Sequence, residues 1–240
     1  FPYTTLFRST GLSSSGTGVS INGGSYPNIT LNNGSLNING TGNSGGGVNL
    51  YQGNLIQNGG ALNITGVSNA DIGVIGFPNY AIYQNGGAKN ITGTSNAQYG
   101  VSLFSNLTQT NGSLNITGVS NTSRGVIVHS YFNGDVALQR LITQNNGTLN
   151  ISGSSNTSIG VTLSRNITQT GGTLNIIGNS NYSSGISLGE TKSLGTINTS
   201  NTTTNSWTNV TTVVNATNAS LYDKNTTYSN GSSNLTTVAL

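Results

Sequence analysis

The chain has 240 residues, of which 32% are hydrophobic and only 5% charged, with 35 glycines and neither Cys nor Met. Disordered chains of low hydrophobicity are normally rich in charge, so this composition is not theirs, and without Cys there can be no disulfide framework or thiolate metal site. No apolar run approaches the ~18 residues of a membrane-spanning helix, and the seven bases, scattered from Arg8 to Lys224 against four acids, form no stripe that would bind nucleic acid.

In chain order, the first segment is FPYTTLFRS, Phe1 to Ser9, whose aromatic and charged spelling never returns. From there the text turns to Asn, Thr, Ser and Gly. No initiator or leader is recognisable, and the simplest expectation is an internal piece of a longer chain.

Self-similarity organises the rest of the chain. L-N-I-x-G recurs at Leu36, Leu62, Lys89 (as K-N-I-T-G), Leu114, Leu149 and Leu174, in steps of 26, 27, 25, 35 and 25 residues. A second landmark, Gly followed by a branched residue, falls at Val19, Val48, Val74, Val101, Val126, Val161 and Ile186 and keeps the same register through the long step. One unit, Gly100 to Arg124, contains V-S-L, L-T-Q-T and L-N-I-T, each alternating with period two and separated by Gly, Asn and Ser clusters. Three short strands in about 25 residues predict an all-β, right-handed parallel β-helix, a solenoid of stacked coils. Each coil carries too few aliphatic side chains to offset the entropy of ordering it, so the coils must stack to fold.

Stacking places equivalent residues in ladders. The inward positions expected in the first strand are Ile21, Leu50, Leu103, Val128, Leu163 and Leu188, with a gap at Gly76; in the second they are Ile29, Leu55, Ile82, Leu107, Ile142 and Ile167. The third has Ile38, Ile64, Ile91, Ile116, Ile151 and Ile176, with the Leu of L-N-I beside them. Gln57, Gln84, Gln109, Gln144 and Gln169 share the inward parity, and Leu31 takes their place in the first coil. They are expected to point inward with their amides bonded to one another along the stack. Asn43, Asn69, Asn96, Asn121, Asn156 and Asn181 recur at a corner and predict an asparagine ladder shaping the turn. Lys89 at an inward Leu position buries an ammonium unless its stem snorkels or the strand distorts, and Tyr80, Tyr83 and Tyr99 in the same coil point to a local rearrangement.

The step of 35 is an insertion at about 129–141, HSYFNGDVALQRL. It holds the single His of the chain and predicts a loop or short hairpin around an Asn133-Gly134 turn signal. As an excursion from a rigid rod it is either the best candidate contact, through His129, Tyr131, Phe132, Asp135 and Arg140, or a tolerated surface insertion. A lone His129 is not a metal site. Beyond Leu188 the register fades: residues 189–240 read as degenerate coils or as a Thr/Asn/Ser-rich tail, with Gly195 to Asn198 as one imperfect L-N-I strand.

Enzymes built on parallel β-helices need clustered carboxylates. Asp71, Asp135, Glu190 and Asp223 do not stack on one another in the repeat alignment, so no catalytic residue, cofactor site or metal site is expected and the chain reads as a non-enzyme. Sequons at Asn63, Asn90, Asn115 and Asn150 occupy one outward position in successive coils and are candidate sites of sugar attachment, although an outward strand spelled with Asn and Thr generates sequons automatically.

The motifs L-N-I-T-G-x-S-N, G-V-x-L and x-T-Q-x-G-G resemble the repeats of large secreted bacterial adhesins over about Gly18 to Leu188. The nearest likeness is to filamentous-haemagglutinin-type proteins of two-partner secretion, their high-molecular-weight adhesin branch, and autotransporter passengers. The resemblance implies export through an outer-membrane transporter and display on the outer surface of a Gram-negative cell. There a rod would mediate attachment, aggregation or biofilm through a host or neighbouring-cell glycan or protein. It also implies sugar on sequon Asn residues. Two other readings stay open: a secreted or phage-borne carbohydrate-active β-helix with its active site outside this chain, and the stalk of a contact-dependent toxin. Phe1 to Ser9 enter no ladder. They are the translation of TTT CCC TAC ACG ACG CTC TTC CGA TCT and resemble the translated end of a sequencing adapter, which implies a library artefact, with native sequence from about Thr10.

Overall fold

The computed structural model describes residues 6–22, 28–129, 132–133, 136–137, 141–164, 166–183, 185–188, 192–193, 212–217, 228–230 and 233–235. Three sets of parallel strands stack along one axis. The first runs through Val19–Ile21, the start of Val48–Gln57, the start of Val74–Gln84, Val101–Leu103, Val126–Val128, Val161–Leu163 and Ile186–Leu188. The second runs through Ile29–Leu31, the ends of the same two long strands, Asn106–Gln109, Leu141–Gln144, Asn166–Gln169 and Lys192–Ser193. The third runs through Leu6–Ser13, Ser35–Gly42, Ala61–Ser68, Ala88–Ser95, Ser113–Ser120, Thr148–Ser155, Thr173–Ser180 and Thr212–Thr217.

The register is the one the repeat spacing predicts. Ile38, Ile64, Ile91, Ile116, Ile151 and Ile176 pair in series, as do Leu55, Ile82, Leu107, Ile142 and Ile167. These residues form one continuous core with the inward Val and Leu of the first strand. Burying that row only when coils are stacked is what makes the fold cooperative between neighbours. The 35-residue step leaves the ladder undisturbed, because Asn115 still pairs with Asn150.

The third strand is longer than L-N-I-T. It continues through a Gly and a Ser that also face inward, and there the coil is pinched: a Cβ built on Gly118 would overlap the carbonyl oxygen of Gly125 at the start of the next first strand. The same facing pair recurs as Gly66 with Gly73, Gly93 with Gly100 and Gly153 with Gly160. The recurring glycines are therefore a steric requirement: two backbones meet where no side chain fits.

Where Gly76 removes an inward aliphatic, the gap is closed from other directions. A Cβ on Gly76 would meet Leu103 Cδ2 at 3.1 Å and Ser105 Oγ at 2.8 Å, and Tyr80 of the same coil is buried. Here the first and second strands fuse into the long strands Val48–Gln57 and Val74–Gln84, with a register shift at Leu50/Gln52 and Gly53 at φ 101°.

Two expectations are corrected or extended at the ends. Leu6 to Ser9 do enter a ladder, Phe7 pairing with Leu36 and Ser9 with Ile38. The open edge of a solenoid presents unpaired backbone donors and acceptors, and an extended segment pairs with them whatever its side chains. Downstream, the strand Thr212–Thr217 continues the third-strand ladder, placing Val214 against Ile176; residues 195–198 lie outside the described residues.

Candidate functional site

The outer face of the first strand departs from a simple rod. Its middle residue points away from the core, yet Asn49, Ile75, Ser102, Ile127 and Thr162, which follow one another in register, are no more than 8% exposed. Aromatic side chains follow it along much of the stack. In four successive coils the residue just after the inward end of this strand is Tyr51, Phe77, Phe104 and His129. Tyr51 and Phe77 stack with centroids 4.2 Å apart and planes 14° from parallel, and Phe104 and His129 lie 3.7 Å apart. Asn49 Nδ2 donates to Tyr51 Oη at 3.2 Å, and His129 Nε2 is hydrogen-bonded to Ser102 Oγ at 3.1 Å.

On the other flank of the strand stand Tyr99 and, one coil on, Arg124. Tyr99 meets His129 edge to face at 6.5 Å. Arg124 Nε is buried without a hydrogen-bond partner, and Asn49 Oδ1 and Thr162 Oγ1 on the same strip share that condition. Ser102 is wholly buried beneath this cluster, so the Ser102–His129 bond fixes the ring and presents no nucleophile. The half-exposed rim carries ring edges, the His129 imidazole and the Arg124 guanidinium, groups of the kinds that enter aromatic and cation–π contacts.

The insertion follows His129 in the chain. Its backbone forms an antiparallel pair, Phe132 with Ala137 and Asn133 with Val136, as a hairpin should. Tyr131, Asp135 and Arg140 lie outside the described residues, as does the side chain of Phe132. Of the five residues singled out there, His129 is the one the structure ties to a cluster, and its partners Ser102, Phe104 and Tyr99 come from the preceding coil. The signal is present in the repeat alignment, as an aromatic or His at one fixed offset after the strand.

The glutamine ladder needs correction. Gln57, Gln84, Gln109, Gln144 and Gln169 are inward and buried, and Leu31 precedes them in register, but their amides do not bond to one another. Gln109 Nε2 donates to Gly112 O at 3.1 Å in its own corner and to Thr148 O at 2.8 Å in the next coil; Gln144 repeats this with Gly147 O and Thr173 O. Gln57 bonds Gly60 O and Ala88 O in the same way, and Gln84 and Gln169 hold Gly87 O and Gly172 O. The corner glycines have φ of 72° to 80° from Gly60 to Gly172, and the amide reaches their carbonyls, groups that would otherwise be costly to bury. The Oε1 atoms of Gln57, Gln84, Gln109 and Gln144 are left without partners.

The corner asparagines do form a ladder: Asn69 to Asn43, Asn96 to Asn69, Asn156 to Asn121 and Asn181 to Asn156 are bonded side chain to side chain at 2.7–3.3 Å. The outward sequon residues form a second. Asn63 Nδ2 donates to Asn37, Asn90 to Asn63, Asn115 to Asn90 and Asn150 to Asn115, at 2.6–2.8 Å. The atom that would carry a sugar is thus a ladder donor, with its neighbour one coil spacing away, roughly 4.8 Å.

A third polar ladder is one the sequence did not announce. Ser68, Ser95, Ser120, Ser155 and Ser180, each just before a corner Asn, are buried. Ser120 Oγ donates to Gln98 O of the preceding coil at 2.6 Å and accepts from Ser123 N at 2.9 Å, and the other four repeat the pattern.

Among the described residues no three His, Asp or Glu side chains group as metal ligands, and no helix is long and apolar enough to cross a membrane. Comparison with protein-family models, with curated proteins and with solved structures gives no match.

Proposed function

We propose that this chain is a non-enzymatic rod segment of a secreted or surface-displayed bacterial adhesin, exported through an outer-membrane transporter and exposed on the outer face of a Gram-negative cell. Its partner is a glycan or protein of a host or neighbouring cell. The observation that carries the reading is the insertion within the repeat, whose strands Phe132–Asn133 and Val136–Ala137 pair with each other apart from the coils and follow His129 of the cluster with Tyr99, Ser102 and Phe104. Recognition sites on rigid scaffolds concentrate on such excursions.

The test coats beads with the chain and measures their retention on epithelial and bacterial cells, before and after glycosidase or protease treatment. A variant with residues 130–141 replaced by a short glycine linker, and the double variant Arg124→Ala with His129→Ala, should each lose about tenfold in retention while keeping a β-sheet circular dichroism spectrum. Folded variants that bind as well as the parent overturn the assignment of the contact. Beads that are not retained on any surface overturn the adhesin reading.

A further inference from the structure

The corner between the second and third strands carries a chemistry that the rod does not use for stacking. At Asn111-Gly112 and Asn146-Gly147 the Asn side chain is exposed and folds back over the following peptide nitrogen. Gly112 N donates to Asn111 Oδ1 at 2.8 Å, and Gly147 N to Asn146 Oδ1 at 2.8 Å. The glycines have φ of 77° and 78° and no side chain to shield the nitrogen. The amide carbon is therefore held next to the atom that can attack it, a near-attack arrangement.

We infer that Asn111 and Asn146 are sites of spontaneous intramolecular amide loss. The Gly nitrogen gives up its proton and forms a bond to Asn Cγ, the Cγ–Nδ2 bond breaks, and the side-chain nitrogen leaves as ammonia. Water then opens the resulting succinimide at either carbonyl to give aspartate or isoaspartate. No oxidation or reduction occurs and only water is consumed.

Of the other Asn-Gly pairs in the rod, Asn33-Gly34 sits at the same kind of corner, with Gly34 at φ 83°, and three more are held away from this geometry. Asn58 and Asn85 commit their side chains to a ladder, Asn58 Nδ2 to Asn32 at 2.7 Å and Asn85 Nδ2 to Asn58 at 2.9 Å, and the following Gly59 N and Gly86 N donate to Leu31 O and Gln57 O of the preceding coil. Asn39-Gly40 lies within a paired strand, with Gly40 pressed against Gly47. The two reactive corners are one coil apart, since Ser113 pairs with Thr148. Each event lowers the formal net charge of +3 by one. Isoaspartate also adds a carbon to the backbone beside the carbonyl that Gln109 or Gln144 holds.

The experiment incubates the native chain and a urea-denatured sample at neutral pH. It then maps tryptic peptides 9–89, 90–124 and 141–165 by fragmentation that separates aspartate from isoaspartate. In the native chain Asn111 and Asn146 should convert at least about tenfold faster than Asn39, Asn58 and Asn85, and denaturation should remove that difference. Asn111→Gln should abolish the signal at its own corner and leave Asn146 unchanged. Equal or faster conversion at Asn58 or Asn85 in the native chain, or native Asn111 and Asn146 that persist while the denatured sample converts, would overturn the inference.

Discussion

Lys89 reaches from the third strand to the backbone of the second, its Nζ donating to the carbonyl of Tyr83 at 3.1 Å. A longer contact of 3.5 Å runs to Leu55 O. The strand does not distort and the stem does not snorkel: Lys89 keeps its register between Leu62 and Leu114 and is 0% exposed. Among the described residues it is bonded to carbonyls and to no carboxylate, and burial lowers its pKa from 10.5 to about 7.

That burial makes stability depend on pH. Between about 7 and 10.5 the folded state binds fewer protons than the unfolded one, so stability rises with pH across this window and is flat below it. The denaturant midpoint of the parent should increase from pH 6 to pH 9. Lys89→Leu, which restores the repeat, should be more stable at pH 6 by an amount of the order of several kcal/mol and should lose most of the slope. A parent midpoint that does not change with pH, alongside an unchanged Lys89→Leu midpoint, would contradict a buried amine.

Gly118→Ala should be severely destabilising, by about 3 kcal/mol or more, because the added carbon meets the Gly125 backbone and not a movable side chain. Val119→Ala next to it, at a position 42% exposed, should cost no more than about 0.5 kcal/mol. Thermal unfolding of the pair, read side by side, checks the pinch between the two strands.

Gln109 offers a test of the corrected amide ladder. Gln109→Ala removes two donated bonds and leaves a void, at about 2 kcal/mol or more, whereas Gln109→Leu fills the space and also removes the unpartnered Oε1. Urea titration should rank the parent first, Leu next and Ala last. Were the amides bonded to one another, Gln109→Leu would instead strand the amides of Gln84 and Gln144 and cost as much as Ala.

Ser120→Ala should cost about 1–2 kcal/mol, since a buried hydroxyl at once donates to Gln98 O and accepts from Ser123 N. Hydrogen exchange should quicken at the Ser123 amide in particular, which separates loss of this bond from general loosening.

The core is legible in the sequence because it depends on side-chain parity alone: a residue such as Ile116 or Leu163 is inward if its strand alternates, and the spacing of the repeat fixes its neighbour. The polar interior is less so. Parity places Gln109 inside but cannot show that its partners are backbone carbonyls, because those are set by the left-handed corner at Gly112 and not by any side chain. The edge strand Leu6–Ser13 escapes the repeat for a related reason, since its pairing is carried by the backbone of Ser35–Gly42. The cluster around His129 needs three residues from the coil before it, brought together by stacking across 25 to 30 positions of chain, and the insertion taken alone reveals only its root.

Coils stack in parallel and in register, even across the insertion. With no native Cys in the chain, paired cysteines report this directly. Val119 pairs with Ser154 on the third strand, at a strand spacing of roughly 4.8 Å that a disulfide can bridge. The double variant Val119→Cys with Ser154→Cys should form an intramolecular disulfide under mild oxidation, while Val119→Cys with Ser152→Cys, two residues out of register on the same face, should not. A preference for the second pair, or no cross-link in either, would contradict the stacked register.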